Sequence, residues 1–163
     1  MLTTYLHYGL LIALAIALVF AACTDIKRRQ IDNWLNIAIA VGAPVFWWTS
    51  GLSLWPDVAL QLGVALGVFA VLCAIFAAGM MGGGDVKLLT ALALWIEPTA
   101  FMQLLIIMAI SGGILTIVMA AYHFLQNSKD RLAIPYGVAI AFGGLWVLAT
   151  NYLPETAHAA VTG

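Results

Sequence analysis

The chain has 163 residues, of which 64% are hydrophobic and 8% are charged, and its mean hydropathy is +1.07. An ordinary soluble domain carries about 25% charged residues, so this composition excludes one and predicts an integral membrane protein in contact with the lipid bilayer. The net charge of −1 gives no electrostatic basis for a nucleic-acid partner. At roughly 20 apolar residues per span, the length allows about six spans, and we expect residues 1–163 to form a single domain.

Six apolar segments follow one another along the chain, at residues 5–24, 34–49, 57–80, 86–95, 99–125 and 132–152. The second contains Pro44, which predicts a kink. The fourth is too short to cross a bilayer unaided, and both a thin helix beginning within the preceding glycines and a half-penetrating helix fit it. We therefore expect an all-α, polytopic membrane helical bundle of about six transmembrane helices.

The basic residues predict an orientation for this bundle. All six lie in or beside the polar stretches after the first, third and fifth segments: Lys27, Arg28, Arg29, Lys87, Lys129 and Arg131. Lys and Arg concentrate on the cytoplasmic side of membrane proteins. These stretches are therefore predicted to be cytoplasmic, and both termini are predicted to lie on the outer side.

Asp25 and Asp85 lie at cytoplasmic membrane depth. A charge there costs free energy, so an acidic residue at this depth indicates function. Taken separately, Asp85 could cap a helix N-terminus, and Asp25 could mark a span boundary or pair with Arg28 or Arg29. Taken together, two carboxyl groups can share a proton, so that one activates water while the other polarises a peptide carbonyl. The helix N-terminus would make Asp85 the more acidic member. The remaining acids have simpler interpretations as span boundaries or loop charges: Asp32, Asp57, Glu97, Asp130 and Glu155.

Five neighbours are predicted to support this pair. Gly82, Gly83 and Gly84 would permit positive φ angles and the close approach of a substrate backbone. Lys87 could hold one carboxylate ionised or extend to the membrane interface, and we favour the second interpretation. Asn33 could hydrogen-bond within the first loop or cap the second span, and we favour capping.

We expect no metal and no other cofactor. His7, His123 and His158 are scattered over different segments and do not form a ligand set. Cys23 and Cys73 lie in apolar segments without a CxxC spacing, so they predict neither a zinc site nor a disulfide framework.

Three motifs, in order, resemble the type IV prepilin peptidase family of membrane aspartic proteases. The first, residues 25–33, begins with Asp25 and ends in Asn33. The second, residues 82–87, contains the family's Gly-x-Gly-Asp, and the third, residues 134–139, is similar to the Pro-aromatic-Gly segment that opens its last helix. Asp32 stands where the family usually has Pro.

The resemblance implies that Asp25 and Asp85 are the catalytic aspartates of an endopeptidase. The family removes the short basic leader of prepilins at the cytoplasmic face of the bacterial inner membrane, without a metal or a covalent acyl-enzyme. Long members carry a cysteine-bearing insert and often N-methylate the new terminus. This chain lacks that insert and is similar to the short peptidases of tight-adherence (Flp-type) pilus systems, so we expect no methyltransferase activity. The archaeal branch, which processes archaellin precursors, also fits.

Two other function classes remain open. A small transporter or channel subunit could use Asp25 and Asp85 as a proton or cation relay. Such a relay would need polar residues deeper in the spans, where Gln61 and Gln103 are nearly all that the sequence offers. A non-catalytic assembly subunit is the second alternative. The sequence names neither the particular substrate nor the oligomeric state.

Overall fold

A computed structural model describes residues 2–125 and 134–153, and every regular element within these two ranges is a helix. The main helices are α1 (Leu2–Arg28), α2 (Asn33–Thr49), α3 (Ala59–Ala77), α4 (Gly83–Ala93), α5 (Pro98–Leu125) and α6 (Tyr136–Val147). Two short segments with π-type hydrogen bonds, Leu54–Val58 and Leu148–Tyr152, precede α3 and follow α6, and Trp55 in the first has an extended backbone. The predicted all-α fold is thus confirmed over the described ranges. The loop acid Asp130 and the tail residues Glu155 and His158 lie outside them.

Three helical stretches are long and apolar enough to cross a bilayer: α1, Leu54–Ala77 and α5. The other helices are shorter, and α2 continues through Pro44 without ending. At a rise of 1.5 Å per residue, the 11 residues of α4 extend only about 16 Å, roughly half of the hydrocarbon core. Three spans support the prediction of a membrane protein, whereas the number of six spans and the outer location of both termini stay predictions.

Helix α5 shows why the long helices suit a lipid environment. Ile106, Ile110, Ile114 and Ile117 follow one another at helical spacing and are all more than half exposed. Phe101, near the start of the same helix, is buried in the core. A row of exposed branched side chains along one face is a contiguous apolar surface, which water does not favour and lipid tails do.

Helix α4 lies at the centre of the bundle. It packs against α2 and α3 and also contacts α5 and α6. Its side chains Leu88, Leu89 and Leu92 are fully buried, at 0% exposure each. The remaining contacts close the bundle around it, because α1 packs against α2 and α6, and α5 packs against α6.

The C-terminal end of α4 is hydrogen-bonded by side chains from neighbouring helices. Gln61 Nε2 donates to the carbonyl oxygens of Ala93 and Ile96 at 2.7 and 2.6 Å. Trp47 Nε1 donates to the carbonyl oxygen of Leu94 at 2.7 Å. Each unpaired backbone group in an apolar environment costs several kcal/mol, so these bonds allow a short helix to end inside the bundle.

Candidate active site

Asp25 lies on the last turn of α1, because the helix continues three residues beyond it to Arg28. Arg29 then adopts a left-handed conformation with φ of 54°, and α1 ends there. The side chain of Asp25 is only 6% exposed, whereas that of its neighbour Ile26 is 60% exposed. The predicted first loop therefore begins later than expected, and the helix turns Asp25 toward the interior of the bundle.

The N-terminus of α6 holds the Asp25 carboxyl group. The backbone N–H of Gly137, the second residue of α6, donates a hydrogen bond of 2.7 Å to Asp25 Oδ2. N–H groups in the first turn of a helix have no partner within the helix, so this bond also satisfies α6. A Cβ atom at residue 137 would lie 2.8 Å from Asp25 Oδ2 and 3.0 Å from its Cγ. Only glycine allows this approach.

Asp85 is the third residue of α4, and the N-cap position belongs to Gly82. The prediction that Asp85 itself is the N-cap is therefore wrong. From its place in the first turn, the Asp85 carboxyl group accepts a hydrogen bond from the Gly82 backbone, as an acidic side chain does in a capping box. A Cβ atom at residue 82 would lie 2.9 Å from Asp85 Oδ2, so the glycine leaves room for this carboxyl group.

The electrostatic environment of Asp85 favours its protonated form. Asp85 precedes the predicted fourth segment and lies outside the three long apolar helices. Burial is the main cause that raises its pKa from 3.8 to about 6, and the negative charge of Asp25 raises it further, while the Gly82 hydrogen bond acts in the opposite direction. These effects oppose the prediction that Asp85 is the more acidic member of the pair, because burial and the charge of Asp25 both raise its pKa.

The two aspartates line one cavity of about 370 Å³. Asp25 comes from the end of α1 and Asp85 from the start of α4, and both side chains are more than nine-tenths buried. Gly82, Gly83 and Gly84 line the same cavity, together with Arg29, Gln30, Ile31, Asp32 and Asn33 from the first loop. Two carboxyl groups that open on one cavity can act on the same bound molecule.

None of the three glycines in the second motif adopts the positive φ angle that glycine permits. Gly82 has φ of −74°, and Gly83 and Gly84 belong to α4. Their role in the structure is close packing. A Cβ atom at Gly84, for example, would lie 3.3 Å from Ile31 Cβ in the first loop. The approach of a substrate backbone to these glycines stays a prediction.

Lys87 and Asn33 bind each other. Lys87 Nζ donates a hydrogen bond of 2.8 Å to Asn33 Oδ1. Lys87 is not among the residues that line the cavity of the two aspartates. Asn33 does line it, but Asp32 occupies the N-cap position of α2, so the capping interpretation of Asn33 is wrong. Asp32 also forms an ion pair of 2.7 Å with Arg28. These contacts connect the first loop to α1 and α4.

Sequence reasoning missed the role of Gly137. Residues 134–139 form the third motif of the family resemblance, but no local pattern indicates which side chain the Gly137 N–H would bind. The available signal was Pro135 followed closely by a glycine at a helix start, where Pro is well tolerated. The partner, Asp25, is 112 positions away.

In the part of the chain that the structure describes, the side chains are not arranged to bind a metal ion. No group of three or more His, Cys, Asp or Glu side chains there is arranged to hold an ion. His7 lies near the start of α1 and His123 near the end of α5. The expectation that the reaction needs no metal or other cofactor stays a prediction.

A comparison with protein families gives one match. The model of the type IV leader peptidase family matches residues 12–117, a range that contains both Asp25 and Asp85 and ends before Gly137. Searches of curated proteins and of solved structures give no match.

Proposed function

Because the chain belongs to the type IV leader peptidase family, we propose that it is an aspartic endopeptidase with Asp25 and Asp85 as its catalytic residues. The observation that carries this proposal is that the two buried carboxyl groups line one cavity. The proposed substrate is a prepilin-like membrane protein, in which a short basic leader precedes an apolar helix. The proposed activity of the chain is cleavage of this substrate, without methylation of the new terminus.

The environments of the two aspartates suggest different roles. We assign the transferred proton to Asp85, because burial and the charge of Asp25 raise its pKa to about 6. The Gly137 N–H donates to Asp25 Oδ2, and a hydrogen bond of this kind favours the carboxylate form. Asp25 thus takes a proton from water, the water oxygen attacks the peptide carbonyl carbon, and Asp85 gives its proton to the carbonyl oxygen.

The resulting diol then collapses. Asp25 gives its proton to the amide nitrogen, the C–N bond breaks, and a hydroxyl proton of the diol returns to Asp85. One water molecule is consumed, the products are a carboxyl and an amino terminus, and both aspartates regain their starting states. No bond forms between the enzyme and the substrate in this sequence.

The charges around the cavity support a cytoplasmic location for the reaction. Lys27 and Arg28 lie on the last turn of α1, and Lys87 lies on the first turns of α4, so all three are at the end of the bundle that carries the aspartates. By the positive-inside rule this end faces the cytoplasm. In a bacterium the membrane would be the inner membrane.

An ion relay is less well supported. Gln61 is bound to the carbonyl groups at the end of α4. Gln103 accepts a hydrogen bond from Asn151 at an exposed position. Neither amide is among the described residues that line the aspartate cavity.

The test is cleavage by the purified full chain of a prepilin-like peptide, with an apolar helix behind a basic leader. We expect Asp25→Asn and Asp85→Asn each to lower kcat by about 100-fold or more, because each removes a proton-transfer group. Asp130→Asn is the matched control and should retain activity, since its sequence context predicts a solvated loop charge. Full cleavage by either aspartate variant removes that residue from the mechanism, and ion flux into vesicles without cleavage favours the relay.

A further inference from the structure

A second, larger cavity lies at the other end of the bundle. It measures about 650 Å³ and is lined by residues from the start of α1 and the end of α2, including His7 and Trp47. Asp25 follows His7 on the same helix by 18 positions, which corresponds to about 27 Å of helical rise. The cavity is thus separate from the aspartate site, and its volume is in the range of small-molecule sites.

Aromatic rings form much of its wall. Phe46 stacks on Trp95 with ring centroids 4.9 Å apart, and on His7 at 5.1 Å. Both indole N–H groups already form hydrogen bonds within the protein. Trp47 donates to the Leu94 carbonyl and Trp95 to the Ile39 carbonyl, both at 2.7 Å. The two indoles therefore offer π faces and edges to the cavity rather than N–H donors.

Gln61 gives this cavity a hydrogen-bond acceptor that lacks a donor. Its side chain is only 7% exposed and lines the cavity. Both amide protons are used on the carbonyl oxygens of Ala93 and Ile96, which identifies the bonded atom as nitrogen. Within the described part of the chain no group donates to Gln61 Oε1. An acceptor that faces the cavity without a protein donor can receive a hydrogen bond from a ligand that carries an N–H.

The charge of the lining is negative. Asp57 and Glu97 both line the cavity, and none of the described residues that line it is Lys or Arg. Asp57 Oδ2 accepts hydrogen bonds from the backbone and side chain of Ser53, and Glu97 Oε1 accepts one from Thr99. Each carboxylate has about four acceptor positions, so both retain capacity for a further donor.

We propose that this cavity binds a primary organic ammonium group, with Gln61 Oε1 and the carboxylates of Asp57 and Glu97 as acceptors and the aromatic wall as a cation–π surface. Positive charge suits the two carboxylates and the ring faces, and the N–H donors suit Gln61. The same group occurs in free diamines and in the ethanolamine headgroup of lipids. The site is independent of the proposed peptidase activity.

The test is calorimetric titration of the purified full chain in a neutral maltoside detergent, without peptide substrate. The probes are 1,4-diaminobutane, a short-chain phosphatidylethanolamine and, as a probe without N–H groups, tetramethylammonium. We expect at least one of the two amines to bind saturably and tetramethylammonium to bind at least about tenfold more weakly. Binding of the diamine indicates a free amine as the ligand, and binding of the lipid alone indicates the headgroup; either result supports the proposal.

Variants assign the binding to this cavity. Asp57→Asn with Glu97→Gln should weaken amine binding about tenfold or more, while Asp32→Asn, which removes an acid at the opposite end, should leave it unchanged. The two single variants replace the double variant if the latter is not monodisperse. Absence of saturable binding by both amines, equal binding of tetramethylammonium, or equal affinity in the acid variants would overturn the proposal. Because cleavage is not measured, these outcomes are distinct from a failure of the peptidase proposal.

Discussion

The backbone N–H of Gly137 donates a 2.7 Å hydrogen bond to Asp25 Oδ2 and thereby connects the start of α6 to the end of α1. The contact fixes one oxygen of a buried carboxyl group and leaves the other oxygen for chemistry. It also places the positive end of a helix against a group that the proposed mechanism uses as a carboxylate. Gly137 is therefore a positioning residue in this proposal.

Gly137→Ala tests that role. The added methyl group would meet Asp25 Oδ2 at 2.8 Å, so the carboxyl group must move. We expect kcat for peptide cleavage to fall about tenfold to 100-fold with little change in KM, because small displacements of a catalytic group are costly. The pH profile of kcat should also shift, since the Gly137 hydrogen bond stabilises the ionised form of Asp25.

The matched control is Gly113→Ala on α5, where an added Cβ atom meets nothing within 4 Å. It should keep wild-type kcat and an unchanged pH profile. If Gly137→Ala behaves like this control, the hydrogen bond does not position Asp25 for the reaction.

A second prediction concerns the stability cost of Asp85. Its pKa is about 6 in the folded protein and 3.8 in the reference state, so protonation favours the folded form. Well below pH 3.8 the carboxyl group is protonated in both states and costs nothing. Between pH 3.8 and 6 the unfolded chain ionises while the folded carboxyl group keeps its proton, so stability falls by up to about 3 kcal/mol and changes no further above pH 6. Asp85→Asn should therefore raise Tm at pH 8 and leave it nearly unchanged at pH 2.5.

Thermal unfolding in detergent at the two pH values measures this difference. Asp130→Asn is the control and should show no gain that depends on pH. An Asp85→Asn variant that is less stable than wild type at pH 8 would mean that the ionised carboxylate is stabilised in the fold, and the proposed assignment of the proton to Asp85 would then be wrong.

The sequence predicted the parts of this molecule that follow from local chemistry. Apolar runs located the helices, and the cost of charge near a membrane singled out Asp25 and Asp85, which the fold brings to one cavity. It could not predict the Gly137 contact or the binding of the α4 terminus by Gln61, because those bonds join residues 112 and 32 positions apart. Such contacts depend on how helices pack, which hydrophobic periodicity does not specify.

A third prediction concerns Lys87, which binds Asn33 and does not line the cavity. Its hydrogen bond is exposed, and an exposed polar contact contributes about 1 kcal/mol or less. Lys87→Met keeps the apolar stem and removes the charge. We expect kcat/KM to fall by about threefold at most, in contrast to the aspartate variants. A loss of 100-fold or more would show that the ammonium group acts on the substrate or on a carboxylate during the reaction.

The last prediction concerns Asn36, a residue of α2 that is 5% exposed. Neither its Oδ1 nor its Nδ2 has a hydrogen-bond partner among the described residues. A buried polar group without a partner costs about 1–3 kcal/mol, and Leu has nearly the same size without that cost. Asn36→Leu should therefore raise Tm by several degrees, measured by thermal unfolding in detergent, whereas Asn151→Leu at an exposed position should not. A fall in Tm for Asn36→Leu would mean that the amide is paired in the protein.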